Sequence, residues 1–153
     1  MQIKCYINNR LFNEEIEPDM LLIDFLRNVG FTSVKRGCDT ANCGLCTVMV
    51  NEKTVLSCSV LAASVNEKHI YTLEGLEDEA KIIGKLIADE GADQCGFCSP
   101  GFLMNVITMK KELKDPTDEE IKHYLSGNLC RCTGYMGQLR AIKKYLQLGK
   151  DGE

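Results

Sequence analysis

Cys95-Gly96-Phe97-Cys98 and Cys130-Arg131-Cys132 are two close cysteine pairs with 31 residues between them. Each pair sits in a glycine-containing loop, and a segment of helical period follows each one. Earlier in the chain Cys38, Cys43, Cys46 and Cys58 make another set, so eight of the nine cysteines fall into two groups of four. Thiols gathered at such spacings point to metal ligation or to disulfides, and compartment decides between them. The opening run Met1-Gln2-Ile3-Lys4-Cys5-Tyr6 has no long apolar stretch and no small-residue cleavage site. No secretory signal is therefore expected, and a cytoplasmic location follows. In that reducing environment close cysteines bind metal more often than they pair. No apolar run approaches the length of a membrane span. The formal net charge of −4, without a basic patch, argues against a nucleic-acid partner.

Outward from the cysteines, residues 1–76 read as a small α+β unit. Ile3, Cys5 and Ile7 alternate with Gln2, Lys4 and Tyr6, the period of a half-buried strand. Asn8-Asn9 marks a turn, and a second strand through Leu11-Phe12 returns as a hairpin. Pro18-Asp19 is expected to open a helix with the stripe Met20, Leu22, Ile23 and Leu26, ending at Gly30. Residues 31–46 lose all periodicity, a loop too long to be idle in a compact domain. Thr47-Val48-Met49-Val50 and Thr54-Val55-Leu56 flank the turn Asn51-Glu52-Lys53, a second hairpin, and Cys58 follows it. Residues 69–73 read as a last strand. The acidic residues 74–79 read as a solvated linker and domain boundary.

Residues 77–153 read as a helical domain. The stripes are Ile82, Ile83, Leu86 and Ile87; then Phe102, Leu103, Val106, Ile107 and Leu113; then Ile121, Tyr124 and Leu125; then Leu139, Ile142, Tyr145 and Leu146. Thr117 and Glu120 make a capping box for the third, with Gly127 as its stop, and Ser99 with Pro100 reads as N-cap and first turn of the second. Short connections suggest a four-helix bundle. In halves this small a hydrophobic core alone is marginal, and a metal site in each would add to it.

The spacing C-x4-C-x2-C, with Cys58 after 11 further residues, is that of plant-type ferredoxins and their [2Fe–2S] cluster. Three ligands from one tight loop wrap the cluster, and a fourth closes it from the neighbouring hairpin. The C-x2-C with C-x-C set is less familiar as a zinc pattern, where C-x2-C pairs with C-x2-C. Zinc nevertheless stands as the alternative metal for both sets, since four thiolates suit it chemically.

At these residues the chain resembles the small iron–sulfur subunit of the molybdenum hydroxylases, the xanthine dehydrogenase and aldehyde oxidoreductase family. The matching stretches are residues 37–48, Thr72-Leu73-Glu74-Gly75-Leu76, Gln94-Cys95-Gly96-Phe97-Cys98-Ser99-Pro100-Gly101 and Gly127-Asn128-Leu129-Cys130-Arg131-Cys132-Thr133-Gly134-Tyr135. The resemblance implies an N-terminal β-grasp ferredoxin domain and a C-terminal four-helix domain, each holding one [2Fe–2S] cluster. It implies electron transfer from a molybdopterin cofactor in a large partner subunit to FAD in a medium one, hence a hetero-oligomer. It places Gln94 and Cys132 against the pterin. Asn42 and Leu45 depart from the family's usual residues, but neither is a ligand. The substrate belongs to the large subunit, and xanthine, another purine, nicotinate and an aldehyde all stay open. The competing functions are a free-standing two-cluster ferredoxin and a zinc-stabilised interaction module. Cys5, on the Ile3/Ile7 face, reads as a buried structural thiol, and His69 and His123 as structural or exposed residues. Tyr135 and Met136 read equally as cover for the second site or as core.

Overall fold

The computed structural model describes residues 1–148, and these hold a five-stranded mixed sheet, five α-helices and short 3-10 turns. Strands β1 (Gln2–Ile7) and β2 (Arg10–Glu15) form the first hairpin, and β3 (Thr47–Val50) and β4 (Lys53–Leu56) the second. Both close on two-residue turns, Asn8-Asn9 and Asn51-Glu52, whose residues all have positive φ. Two such residues in succession match the right-handed twist of the flanking strands. Strand β5 (His69–Tyr71) joins the hairpins, parallel to β1 and antiparallel to β3, and the order is β2-β1-β5-β3-β4. His69, expected to be structural or exposed, is exposed and stacks on Tyr6 with centroids 4.6 Å apart.

Ile3, Cys5 and Ile7 are fully buried, together with Val48, Ile70 and the apolar stripe of α1 (Leu22–Asn28). Burial and the nearby Glu14 push the Cys5 thiol up to about 11, so it behaves as a small hydrophobe. Helix α1 starts later than Pro18-Asp19 suggested, because those residues make a separate turn. Leu21 is then held extended opposite Leu61: Leu22 N–H donates to the Val60 carbonyl (2.7 Å) and Ala62 N–H to that of Met20 (2.8 Å). Long-range pairing thus overrides the local start signal.

After the sheet come α2 (Glu77–Asp89), α3 (Ser99–Glu112), α4 (Asp118–Tyr124) and α5 (Met136–Gln147). Their apolar faces form a second cluster, with Ile83, Val106, Ile121 and Ile142 at its centre. Ile82 departs from its expected stripe and is 47% exposed, since the inward face of α2 is made by Ile83 and Ile87, with Ala80 and Leu86 packed beside them. The capping box of Thr117 and Glu120 is present on α4. That helix ends at Tyr124 with Leu125 as C-cap, so Gly127 is not its stop. The acidic run is not simply a linker either. Glu77, Asp78 and Glu79 lie in the first turn of α2, where they favour the helix dipole. Glu74 accepts from the Ser33 backbone N–H (2.9 Å) and from the Ser33 and Thr72 hydroxyls, fastening the long loop to the start of the helical half. Among the described residues no helix is long and apolar enough to cross a membrane.

One contact in the helical half has a measurable pH signature. Glu90, at the end of α2, meets Arg140 (2.6 Å) and Lys144 (2.5 Å) of α5. Its hydrogen bonds to Lys144 and Arg140 hold its carboxyl below the usual range. A depressed carboxylate stabilises the fold above its unfolded pKa of about 4.3, and that contribution is lost as pH falls through the lower folded value. Glu90→Gln is therefore expected to melt at a lower temperature than wild type. The gap should be constant from pH 8 to 5, close only below that range, and narrow with added salt. Thermal melts across that series check it, and a gap that grows on acidification would contradict it.

Candidate metal centres

The first cysteine set is built on the irregular loop of residues 31–46 and the 3-10 turn Ser57–Ser59 that follows β4. The Cys38 thiol neighbours that of Cys43, and the Cys46 thiol neighbours that of Cys58, each pair close enough for one thiol to shift the other's titration. Backbone N–H groups of Thr40 and Asn42 point at the Cys38 sulfur and bring its pKa down to about 6. Burial pushes Cys46 up to about 11. The loop is braced by its own hydrogen bonds: Thr47 Oγ1 donates to the Gly44 carbonyl and Ser57 Oγ to the Cys46 carbonyl, each at 2.7 Å. Cys43 and Cys46 are buried, whereas Cys38 and Cys58 face a polar recess that they share with Arg36, Asp39 and Thr40.

The second set stands where α3 and α5 begin. Cys98 is the residue before α3, so the N-cap position expected of Ser99 belongs to the cysteine itself, and Ser99 is the first helical residue. Cys132 and Cys95 lie with sulfurs 3.6 Å apart. Cys98 neighbours Cys130, and burial, with Cys130 beside it, pushes the Cys98 thiol up to about 12. Burial acts against the Cys130 thiolate, but the Thr133 hydroxyl and the backbone N–H groups of Cys132 and Thr133 outweigh it and lower the pKa. Cys95 and Cys132 are exposed, and Gln94 is exposed beside them. Phe97, Leu129, Tyr135 and Met136, each 44–57% exposed, belong to the same loops and the start of α5. Tyr135 and Met136 are thus not core, and the Tyr135 hydroxyl accepts the Cys130 N–H at 2.9 Å.

Each set therefore consists of two thiol pairs. One tetrahedral zinc would draw all four sulfurs around one point, each ~2.3 Å from the metal. Pairs are the grouping a two-iron cluster asks for, because each iron takes two cysteines beside the bridging sulfides. The donor chemistry fits a [2Fe–2S] cluster in both places.

The two sets share a backbone junction. Leu129 N–H, next to Cys130, donates to the Cys43 carbonyl at 2.9 Å. Asn128, 5% exposed, accepts from Asn105 Nδ2 of α3 (2.6 Å) and donates to the carbonyls of Gly44 (3.4 Å) and Gly101 (3.5 Å). Gly44 adopts φ +73, and a Cβ there would meet the Gly127 carbonyl at 2.3 Å. A Cβ on Gly101 would meet the Gly44 carbonyl at 2.2 Å. The sequence reading gave Asn128 no role. Its motif Gly127-Asn128 signals a turn, and nothing local announces a buried amide bonded both to α3 and to the first cysteine loop.

Known proteins fit this geometry. Residues 6–86 match the 2Fe-2S iron-sulfur cluster binding domain, and residues 72–143 match the [2Fe-2S] binding domain. The chain is 43% identical over 146 residues to the nicotinate dehydrogenase small FeS subunit of Eubacterium barkeri, covering 94% of this chain and 92% of that one. It is 44% identical over 137 residues to the xanthine dehydrogenase iron-sulfur-binding subunit of Escherichia coli O157:H7, covering 87% and 86%. The crystal structure of quinoline 2-oxidoreductase from Pseudomonas putida 86 contains a chain that superposes with a TM-score of 0.90 at 35% identity, over 100% of this chain and 98% of that one. The chain belongs to the small iron–sulfur subunits of the molybdenum hydroxylases, the xanthine dehydrogenase and aldehyde oxidoreductase family of oxidoreductases.

Proposed function

We propose that this chain is the electron conduit of a molybdenum hydroxylase: two [2Fe–2S] clusters carry electrons singly from a molybdenum cofactor in a large partner subunit to FAD in a medium one. Cys38, Cys43, Cys46 and Cys58 hold one cluster, and Cys95, Cys98, Cys130 and Cys132 the other. Residues 1–76 are the β-grasp ferredoxin domain and residues 77–153 the four-helix domain, of which 149–153 lie outside the described residues, and the complex is cytoplasmic. Gln94 and Cys132, on the exposed edge of the second set, face the pterin.

The observation that carries this reading is the pairwise grouping of the thiols around a common junction. The junction gives two one-electron sites a fixed separation, which a conduit needs and a single-site carrier does not. The exposure pattern supports a partner. Phe97, Leu129, Tyr135 and Met136 leave an apolar rim in the loops that hold the exposed Cys95 and Cys132. An apolar rim of this kind is a mark of a protein interface. A freely diffusing ferredoxin would expose it permanently.

The test is elemental analysis of tagged protein isolated anaerobically from its own host. Iron at about four per chain, with molybdenum and two larger chains retained, is the expected result. Iron without molybdenum or companions, under conditions where related complexes stay intact, would favour the free-standing ferredoxin. Zinc in place of iron would end the redox reading.

A further inference from the structure

Thr133 lies just outside the second cysteine set. Its Oγ1 is 3.2 Å from Cys130 Sγ and 3.0 Å from the side-chain oxygen of Gln138, which is 4% exposed in the first turn of α5. The Tyr135 N–H donates to the same Oγ1 at 3.2 Å. The Cys130 N–H is itself engaged by the Tyr135 hydroxyl at 2.9 Å. Cys98, the other side chain at the Cys130 sulfur, is itself read as a ligand, so the Thr133 hydroxyl is the hydroxyl donor there.

We infer that Thr133, positioned by the buried Gln138 and by Tyr135, raises the reduction potential of the centre held by Cys95, Cys98, Cys130 and Cys132 by donating a hydrogen bond to Cys130 Sγ. The inference rests on the reading of Cys130 as a ligand. A hydroxyl has one proton and here two acceptors within reach. A ligand sulfur carries negative charge, and a charge-assisted bond is about twice as strong as a neutral one, so the proton goes to sulfur. A half-turn of the Gln138 amide then presents its NH2 to Oγ1, which uses both lone pairs as acceptor, from Gln138 and from Tyr135, and its one proton as donor. One electron added at this centre increases the charge on its ligand sulfurs and strengthens the Thr133 bond. The proton stays on Oγ1, and no covalent bond is made or broken. Hydrogen bonds to the sulfurs are among the terms that set such potentials. Thr133 thereby helps set the order in which the two centres fill.

The experiment is a potentiometric titration of the iron-loaded chain with dithionite and mediators, followed by the two EPR signals. Thr133→Val is expected to lower the midpoint of one signal, with reduction about tenfold less favourable, which is 59 mV for a one-electron couple. The other signal stays in place. Thr133→Ser, which keeps the hydroxyl, restores the wild-type value. Gln138→Met moves the same signal in the same direction by less. Unchanged midpoints in Thr133→Val, or failure of Thr133→Ser to restore them, would overturn the inference. If Thr133→Val does not retain the centre, Gln138→Met decides, and an unmoved midpoint there overturns it as well. A wild-type chain without iron or either signal is a separate result, and it removes the two-cluster reading itself.

Discussion

Gly101→Ala is expected to destabilise the chain by about 3 kcal/mol or more and to strip iron from both cysteine sets at once. The added methyl would sit 2.2 Å from the Gly44 carbonyl and 3.0 Å from Leu45 backbone atoms. Backbone cannot swing aside as a side-chain tip can, so α3 and the first cysteine loop must separate. Gly44 lies between Cys43 and Cys46, and Gly101 lies in the first turn of α3 directly after Cys98. Any separation moves ligands on both sides and pulls on the Leu129 N–H bond to the Cys43 carbonyl. Gly84→Ala is the matched control. Its Cβ meets nothing within 4 Å, in the middle of α2, and it should gain about 0.5–1 kcal/mol. Denaturant melts and iron content of the two variants check this. Wild-type stability and full iron in Gly101→Ala would show that the junction is looser than described.

Cys43→Ser is expected to act on one centre alone. Iron should fall from about four to about two per chain, and one EPR signal should disappear or change while the other is unaltered. The Cys43 sulfur belongs to the pair with Cys38, but its link to the second set is through its carbonyl oxygen, which serine keeps. The contrast with Gly101→Ala is the informative part: the ligand change is local because the backbone survives, and the glycine change is shared because the backbone does not. Cys5→Ala should leave both signals intact, since Cys5 is buried among Ile3 and Ile7 and takes no part in either set. Loss of both signals in Cys43→Ser, with circular dichroism still native, would count against independent centres.

The sequence by itself determined whatever depends on near neighbours. Both hairpins, the α4 capping box and the stripe of α5 follow from side-chain period and turn chemistry within a few residues, and each is present. The closeness of Cys43 to Cys46, of Cys95 to Cys98 and of Cys130 to Cys132 was also legible, because close spacing along the chain forces closeness in space. Tertiary structure decided the rest. It delayed α1 to Leu22 by pairing Met20 with Ala62 and the Leu22 N–H with Val60. It turned Ile82 outward and gave Glu74 its three donors from Ser33 and Thr72. It chose Cys132 as the neighbour of Cys95, 37 residues away, and Cys130 as that of Cys98. It also carried Asn128 to the Gly44 carbonyl across 84 residues. Period and capping report only on the few residues around them. Which distant backbone group a buried donor meets is settled when α3 packs against the sheet, and no local pattern encodes it.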